Sequence, residues 1–77
     1  MNIEQMVKKL NEIGVPKHYY SINENLSSDT HVLNHIYGKW EYFYFDVKGK
    51  QNDYKIFSNE NDACAYMYAE LKNEIKY

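Results

Sequence analysis

Apolar residues recur at Ile3, Met6, Val7, Leu10 and Ile13, the three-and-four spacing that lines one side of an α-helix. Asn2 stands at the N-cap and Gln5 at the capping-box position. Gly14 follows as a helix-ending residue, and Pro16 blocks continuation. The run "KHYYSI", Lys17 to Ile22, is aromatic and predicts an extended segment, and "NENLSSDT" has the composition of a loop. Three strand-like segments come next, Thr30 to Ile36, Lys39 to Val47 and Asp53 to Phe57, separated by "YGK" and "KGKQN". Separators this short, each with a glycine, predict a meander of antiparallel hairpins. A second helix starts after Phe57. Ser58 is placed to cap it, Glu60 and Asp62 fall where the helix dipole favours negative charge, and Lys72 and Lys76 fall near its end. Its apolar stripe is Cys64, Met67, Leu71 and Ile75, flanked by Ala63 and Tyr68. These elements predict a single α+β domain over residues 1–77, an N-terminal helix, a short strand, an antiparallel meander and a C-terminal helix, with both helices on one face of the sheet.

The segment "KWEYFYFDVKG" departs from simple alternation, with five aromatic side chains in the six positions from Trp40 to Phe45. Alternation across a strand puts Trp40, Tyr42, Tyr44 and Asp46 on one face and Glu41, Phe43, Phe45 and Val47 on the other. Phe carries no polar atom and Tyr does. Polarity therefore predicts that Phe43, Phe45 and Val47 face the helices, leaving Trp40, Tyr42 and Tyr44 on the open face, where such residues serve as binding anchors. A loop or the first strand covering that stripe is the structural alternative.

Length and charge narrow the functional classes. A chain of 77 residues buries only roughly 60% of its unfolded surface, and aromatics, 17% of the residues, supply most of that area. So thin a core leaves little stability to hold a strained catalytic centre. No signal-type or membrane-spanning apolar run is present, and the lone Cys64 allows no internal disulfide, which together predict a cytoplasmic protein. The net charge is −2 and all nine basic residues are lysines. Arginine is the preferred side chain for bidentate phosphate and guanine contacts, so its absence argues against a nucleic-acid partner.

Sites of chemistry are few. His31 and His35 have the H-x3-H spacing of a helical metal pair, but four residues of strand span roughly 13 Å, too far for one ion. No metal or other cofactor is expected. Cys64 lies in a helix stripe beside acidic residues, which predicts packing and not a nucleophile. Neither a catalytic triad order nor a phosphate-binding glycine loop occurs, and an enzyme is not expected. Helix, three-stranded meander and helix is also the order of double-stranded-RNA-binding domains, but Glu60 and Asp62 stand where such domains present lysines. A nucleic-acid module and a homodimer burying the aromatic stripe stay as alternatives from other classes.

Taken together, "LNEIGVPKHYYSIN", "HVLNHIYGKWEYFYFDVKG" and "KIFSNENDACAYMYAEL" resemble a family of small bacterial immunity proteins that protect cells carrying polymorphic, contact-dependent or Maf-type toxins. That pattern has a Tyr-Ser-Ile turn, a Leu-containing strand, a tyrosine-rich Gly-Lys-Trp-Glu strand and a Phe-Ser-Glu-Glu-Ala-Cys helix start. The resemblance spans nearly the whole chain. Its members often carry Ser-Glu-Arg-Gly where this chain has "FDVKG", and the family register implies the opposite orientation, with Trp40, Tyr42 and Tyr44 inward. The resemblance implies a non-enzymatic inhibitor that occludes a cognate toxin domain, of nuclease type where the toxin's cleft is basic. An acidic surface complements such a cleft. Trp40, Tyr42 and Tyr44 are the expected anchors, with Glu41, Asp46, Glu60 and Asp62 as charge partners.

Overall fold

The computed structural model describes residues 1–24 and 27–75; Asn25 and Leu26 of the expected loop, and Lys76 near the chain end, lie outside the described residues. Helix α1 (Ile3–Glu12) leads through a 3-10 turn (Lys17–Tyr19) into strand β1 (Tyr20–Ile22). Strands β2 (Thr30–Ile36), β3 (Lys39–Phe45) and β4 (Gln51–Phe57) follow, and helix α2 (Glu60–Glu74) closes the chain. The fold is α+β, with one sheet in the order β1-β2-β3-β4.

The ends of α1 follow from its sequence. Asn2 accepts from the Gln5 backbone N–H at 2.8 Å and Gln5 accepts in return from Asn2 at 3.0 Å, a complete capping box. At the other end the Gly14 N–H donates to Asn11 at 3.2 Å and the Val15 N–H to Leu10 at 2.9 Å, the paired bonds of a Schellman motif. Gly14 has φ +85, a conformation that penalises any side chain. Helix α2 starts one residue later than expected. Asn59, not Ser58, is the cap, accepting from the Asp62 N–H at 2.8 Å.

The meander is present as expected, and β1 adds what the spacing did not indicate. It pairs with β2 in parallel, Ser21 opposite Val32, with only the seven residues 23–29 between the two strands. This is shorter than the usual parallel crossover. The left-handed backbone of Asn23 and Asp29, φ 54 and 59, bends the chain at both ends of the connection, a conformation Asn and Asp tolerate better than other side chains. Asn23 extends the ladder by accepting from the His35 N–H through its side chain at 2.7 Å.

Register decides which rings enter the core. His31, Leu33 and His35 on β2 lie opposite Tyr44, Tyr42 and Trp40 on β3, and this is the face that α2 covers. Trp40 and Tyr42 pack in one core with Leu33, Met6, Leu10, Val15, Ala63, Cys64, Met67 and Leu71. The polarity-based orientation of β3 is thus corrected. Trp40 and Tyr42 turn inward, while Phe43 and Phe45 lie on the other face with Val32 and Thr30. Tyr42 can be sealed in because its hydroxyl has a buried partner, His31 Nδ1 at 2.8 Å, which removes the cost that polarity assigned to it. Ala63 and Cys64 give the room, being small residues where α2 meets the large rings. Val47, also expected inward, falls beyond β3 in the turn and is 70% exposed.

Phe43 is nonetheless buried on its own face, edge-on to Phe45 at 6.3 Å and stacked with Tyr54 at 6.1 Å. Helix α1 contacts α2 and seals the end of the same core through Met6 and Leu10. Met67 has no exposed surface, and Met67→Ala is expected to lower unfolding free energy by about 2–5 kcal/mol. At Gly14 an added methyl meets no atom, so Gly14→Ala should cost only the backbone strain, about 1 kcal/mol. Urea unfolding of both variants checks the contrast. Equal losses would contradict it.

Candidate functional site

The seven residues expected at a binding site are not brought together. Trp40 and Tyr42 are core residues, 7% and 1% exposed, and cannot act as anchors on the surface. Asp46 organises the β3–β4 turn. Its carboxylate accepts from the Lys48 and Lys50 N–H groups at 2.9 Å each and from Asn52 Nδ2 at 3.0 Å, and the Lys50 N–H above all holds its pKa below the ordinary carboxylate value. Glu60 accepts from the Ile3 N–H at 2.8 Å, tying the start of α2 to the start of α1. Asp62 accepts from Asn59 Nδ2 at 3.1 Å within the cap. Of the acidic set, Glu41 alone lies on the open sheet face, accepting from Asn34 Nδ2 at 3.1 Å and from the Tyr54 hydroxyl at 2.6 Å.

Two surfaces carry what could meet another molecule. The first is the open-face end of the β2–β3 hairpin. Tyr37 and Gly38 form its turn with φ 51 and 75, the positive pair of a type I′ hairpin, where Asn-Gly is the favoured sequence. A tyrosine in the first position is strained. Its ring gains nothing in compensation from the fold, since Tyr37 is 99% exposed. Around it Ile36, Tyr54 and Ile56 are also exposed, and with Lys39 and Glu41 they line a shallow depression.

The second is a cleft of about 460 Å³ between α2 and the helix-facing side of the sheet, lined by His31, Tyr42, Tyr44, Asn52, Asp53, Glu70, Asn73 and Glu74. A bulge builds one wall. Between the pairs Tyr42–Lys55 and Tyr44–Asn52 the strand β4 carries an extra residue, with Asp53 at φ 56. This turns Asp53 toward α2, where it accepts from the Tyr66 hydroxyl at 2.8 Å. That hydrogen bond is the main reason the Asp53 pKa is lowered. Burial, the Asp53 bond and the nearby Glu70 charge together push the Tyr66 hydroxyl upward. Tyr44 closes the far end by donating to Asp29.

His31 sits at the bottom of this cleft. Its Nδ1 is satisfied by Tyr42, but its buried Nε2 has no hydrogen bond; the nearest partner, Glu74 Oε2, is 3.5 Å away, too long for a good one. Burial pulls the His31 pKa below its ordinary value despite Glu74, and burial drives the Tyr42 hydroxyl up. His35 is separate, stacked on Trp40 at 4.3 Å. No group of His, Cys, Asp and Glu able to hold a metal ion occurs among the described residues. Cys64 is fully buried, and burial pushes its thiol up to about 11, so it is not a thiolate at neutral pH.

Comparison with protein-family models, with curated proteins and with solved structures returned no match. No helix among the described residues is long and apolar enough to cross a membrane. Of the residues expected at a site, Tyr42 and Tyr44 line the cleft and Glu41 the hairpin patch; the others of both surfaces were missed by polarity and spacing, with one exception in kind. The strained Tyr37-Gly38 turn is visible as a bulky residue where the hairpin pattern calls for Asn or Asp.

The lowered His31 pKa fixes a sign. The folded state binds fewer protons than the unfolded state near the ordinary value of about 6.5, so this contribution to stability is complete above that pH and declines as pH falls through it. His31→Gln should flatten the stability profile between about pH 5 and 7, measured by urea unfolding. An unchanged profile would remove His31 as its source. Tyr42→Phe, which strips Nδ1 of its partner, should destabilise by about 1–3 kcal/mol.

Proposed function

We propose that the chain is an immunity-type inhibitor that binds a cognate bacterial toxin domain and blocks it by occlusion, without catalysis of its own. The observation that carries this reading is Tyr37. A fully exposed aromatic ring held in a left-handed turn costs the monomer stability, and strain of this kind is retained where a residue serves another molecule. Tyrosine is among the residues that dominate binding energy at protein interfaces. Ile36, Tyr54 and Ile56 extend the apolar patch beside it, and Glu41 and Lys39 give a charged rim, the apolar centre and polar edge of an interface.

The resemblance to small immunity proteins implies a toxin domain as the partner. The anchors move, however, from Trp40, Tyr42 and Tyr44 to the hairpin tip and β4. Net charge of −2 favours approach to a basic toxin surface. Toxins that act on nucleic acid offer such a surface.

Expression of this chain should rescue cells from the toxin domain encoded beside it, and the two should co-purify as a stoichiometric complex. Tyr37→Asn separates function from folding. It installs the favoured Asn-Gly turn and should stabilise the monomer by about 1 kcal/mol, while weakening the complex by about 2 kcal/mol or more. Thermal unfolding and calorimetric titration read the two effects. A stabilised variant that protects and binds as well as the parent would defeat the assignment of this surface.

A further inference from the structure

We propose that the cleft over His31 is a second recognition site, one that takes a single arginine or lysine side chain presented by a protein partner. It is distinct from the hairpin patch, which lies on the opposite face of the sheet, and it does not depend on the partner being a toxin.

Three observations converge on a cation. Asp53, Glu70 and Glu74 all line the cleft, and the Tyr66 hydroxyl is influenced by both Asp53 and Glu70, so carboxylates are gathered around one opening. Among the described residues the one lysine in an ion pair with these carboxylates is Lys55, 3.9 Å from Asp53 on the edge strand, and neither Glu70 nor Glu74 pairs with a lysine. Beneath them His31, 7% exposed, holds a nitrogen with no hydrogen bond. The Tyr42 hydroxyl can donate to Nδ1 or accept from it; in the tautomer where it accepts, Nε2 presents a lone pair to a donor. The Glu74 side chain that lies beside it is 48% exposed, so its carboxylate is reachable from solvent. A guanidinium or ammonium offers several N–H donors at once, to carboxylates and to the imidazole lone pair.

The choice of a protein-borne cation follows from shape. The cleft is open to solvent along α2, and exposed ion pairs in water contribute little by themselves. A tethered side chain gains from the surface around it, including the half-buried Tyr44 at the rim, whose ring can flank a guanidinium. Charge complementarity selects the partner surface, a basic one.

The test uses the whole chain and the capped peptide acetyl-Gly-Arg-Gly-amide, followed by NMR. Saturable shifts in the millimolar range are expected at His31, Tyr44, Glu70 and Glu74, and the neutral citrulline peptide should leave these signals unmoved. The double variant Glu70→Gln, Glu74→Gln should weaken binding about five-fold or more, whereas Glu12→Gln on the exposed side of α1 should not change it. Equal shifts from the citrulline peptide, shifts confined to other residues, or binding insensitive to the double variant would each overturn the proposal. Spermidine binding the same residues more tightly than the peptide would overturn the assignment to a protein side chain. The hairpin variant Tyr37→Asn should bind the peptide as the parent does, so failure at one surface is read separately from failure at the other.

Discussion

The packing of α2 onto the Trp40 and Tyr42 side of β3 is the constraint that the other elements obey. The main core is a single layer of side chains between one helix and one sheet face, with Val32 and Phe43 buried on the other face. Ala63 and Cys64 are small where the rings are large, and Met67 and Leu71 fill the remaining space. Because α2 takes this face, α1 closes the end of the same core and contributes Met6 and Leu10 from the side. The tie from Ile3 to Glu60 then fixes the two helix starts together, so an acidic residue that looks available in the sequence is committed to joining them.

What was legible in the sequence was what local chemistry decides. The stripe, capping box and glycine stop of α1 all depend on residues within a few positions of one another, and the hairpins announce themselves by short glycine-containing turns. The orientation of β3 was not legible from polarity, because rings occupy both of its faces; the inward turn of Trp40 and Tyr42 matches the register that the resemblance implied. Tyr42 is acceptable in the core only because His31, eleven positions earlier in a different strand, meets its hydroxyl. Pairing across strands is a property of register, which no window of sequence contains. The same holds for the parallel placement of β1, and for the carboxylates of Asp53, Glu70 and Glu74, which a bulge and a helix bring to one opening.

The candidate surfaces differ in how they would contribute to recognition. The hairpin patch offers apolar area and an aromatic ring, which govern how long a complex lasts. The cleft offers charge, which governs how fast and in what orientation partners meet. They lie on opposite faces of the sheet, so a partner engaging both must wrap around one edge, and β4 is the edge that borders the two. A chain of this size gains area by being embraced and not by embracing.

That edge also matters for the protein on its own. A strand at the border of a sheet exposes unpaired backbone groups that can recruit further chains. The extra residue at Asp53 interrupts the register of β4 midway and breaks the straight run that a neighbouring copy would need for edge-to-edge growth. The same irregularity that aims a carboxylate at α2 therefore guards the molecule against templating filaments of itself when it is made in excess.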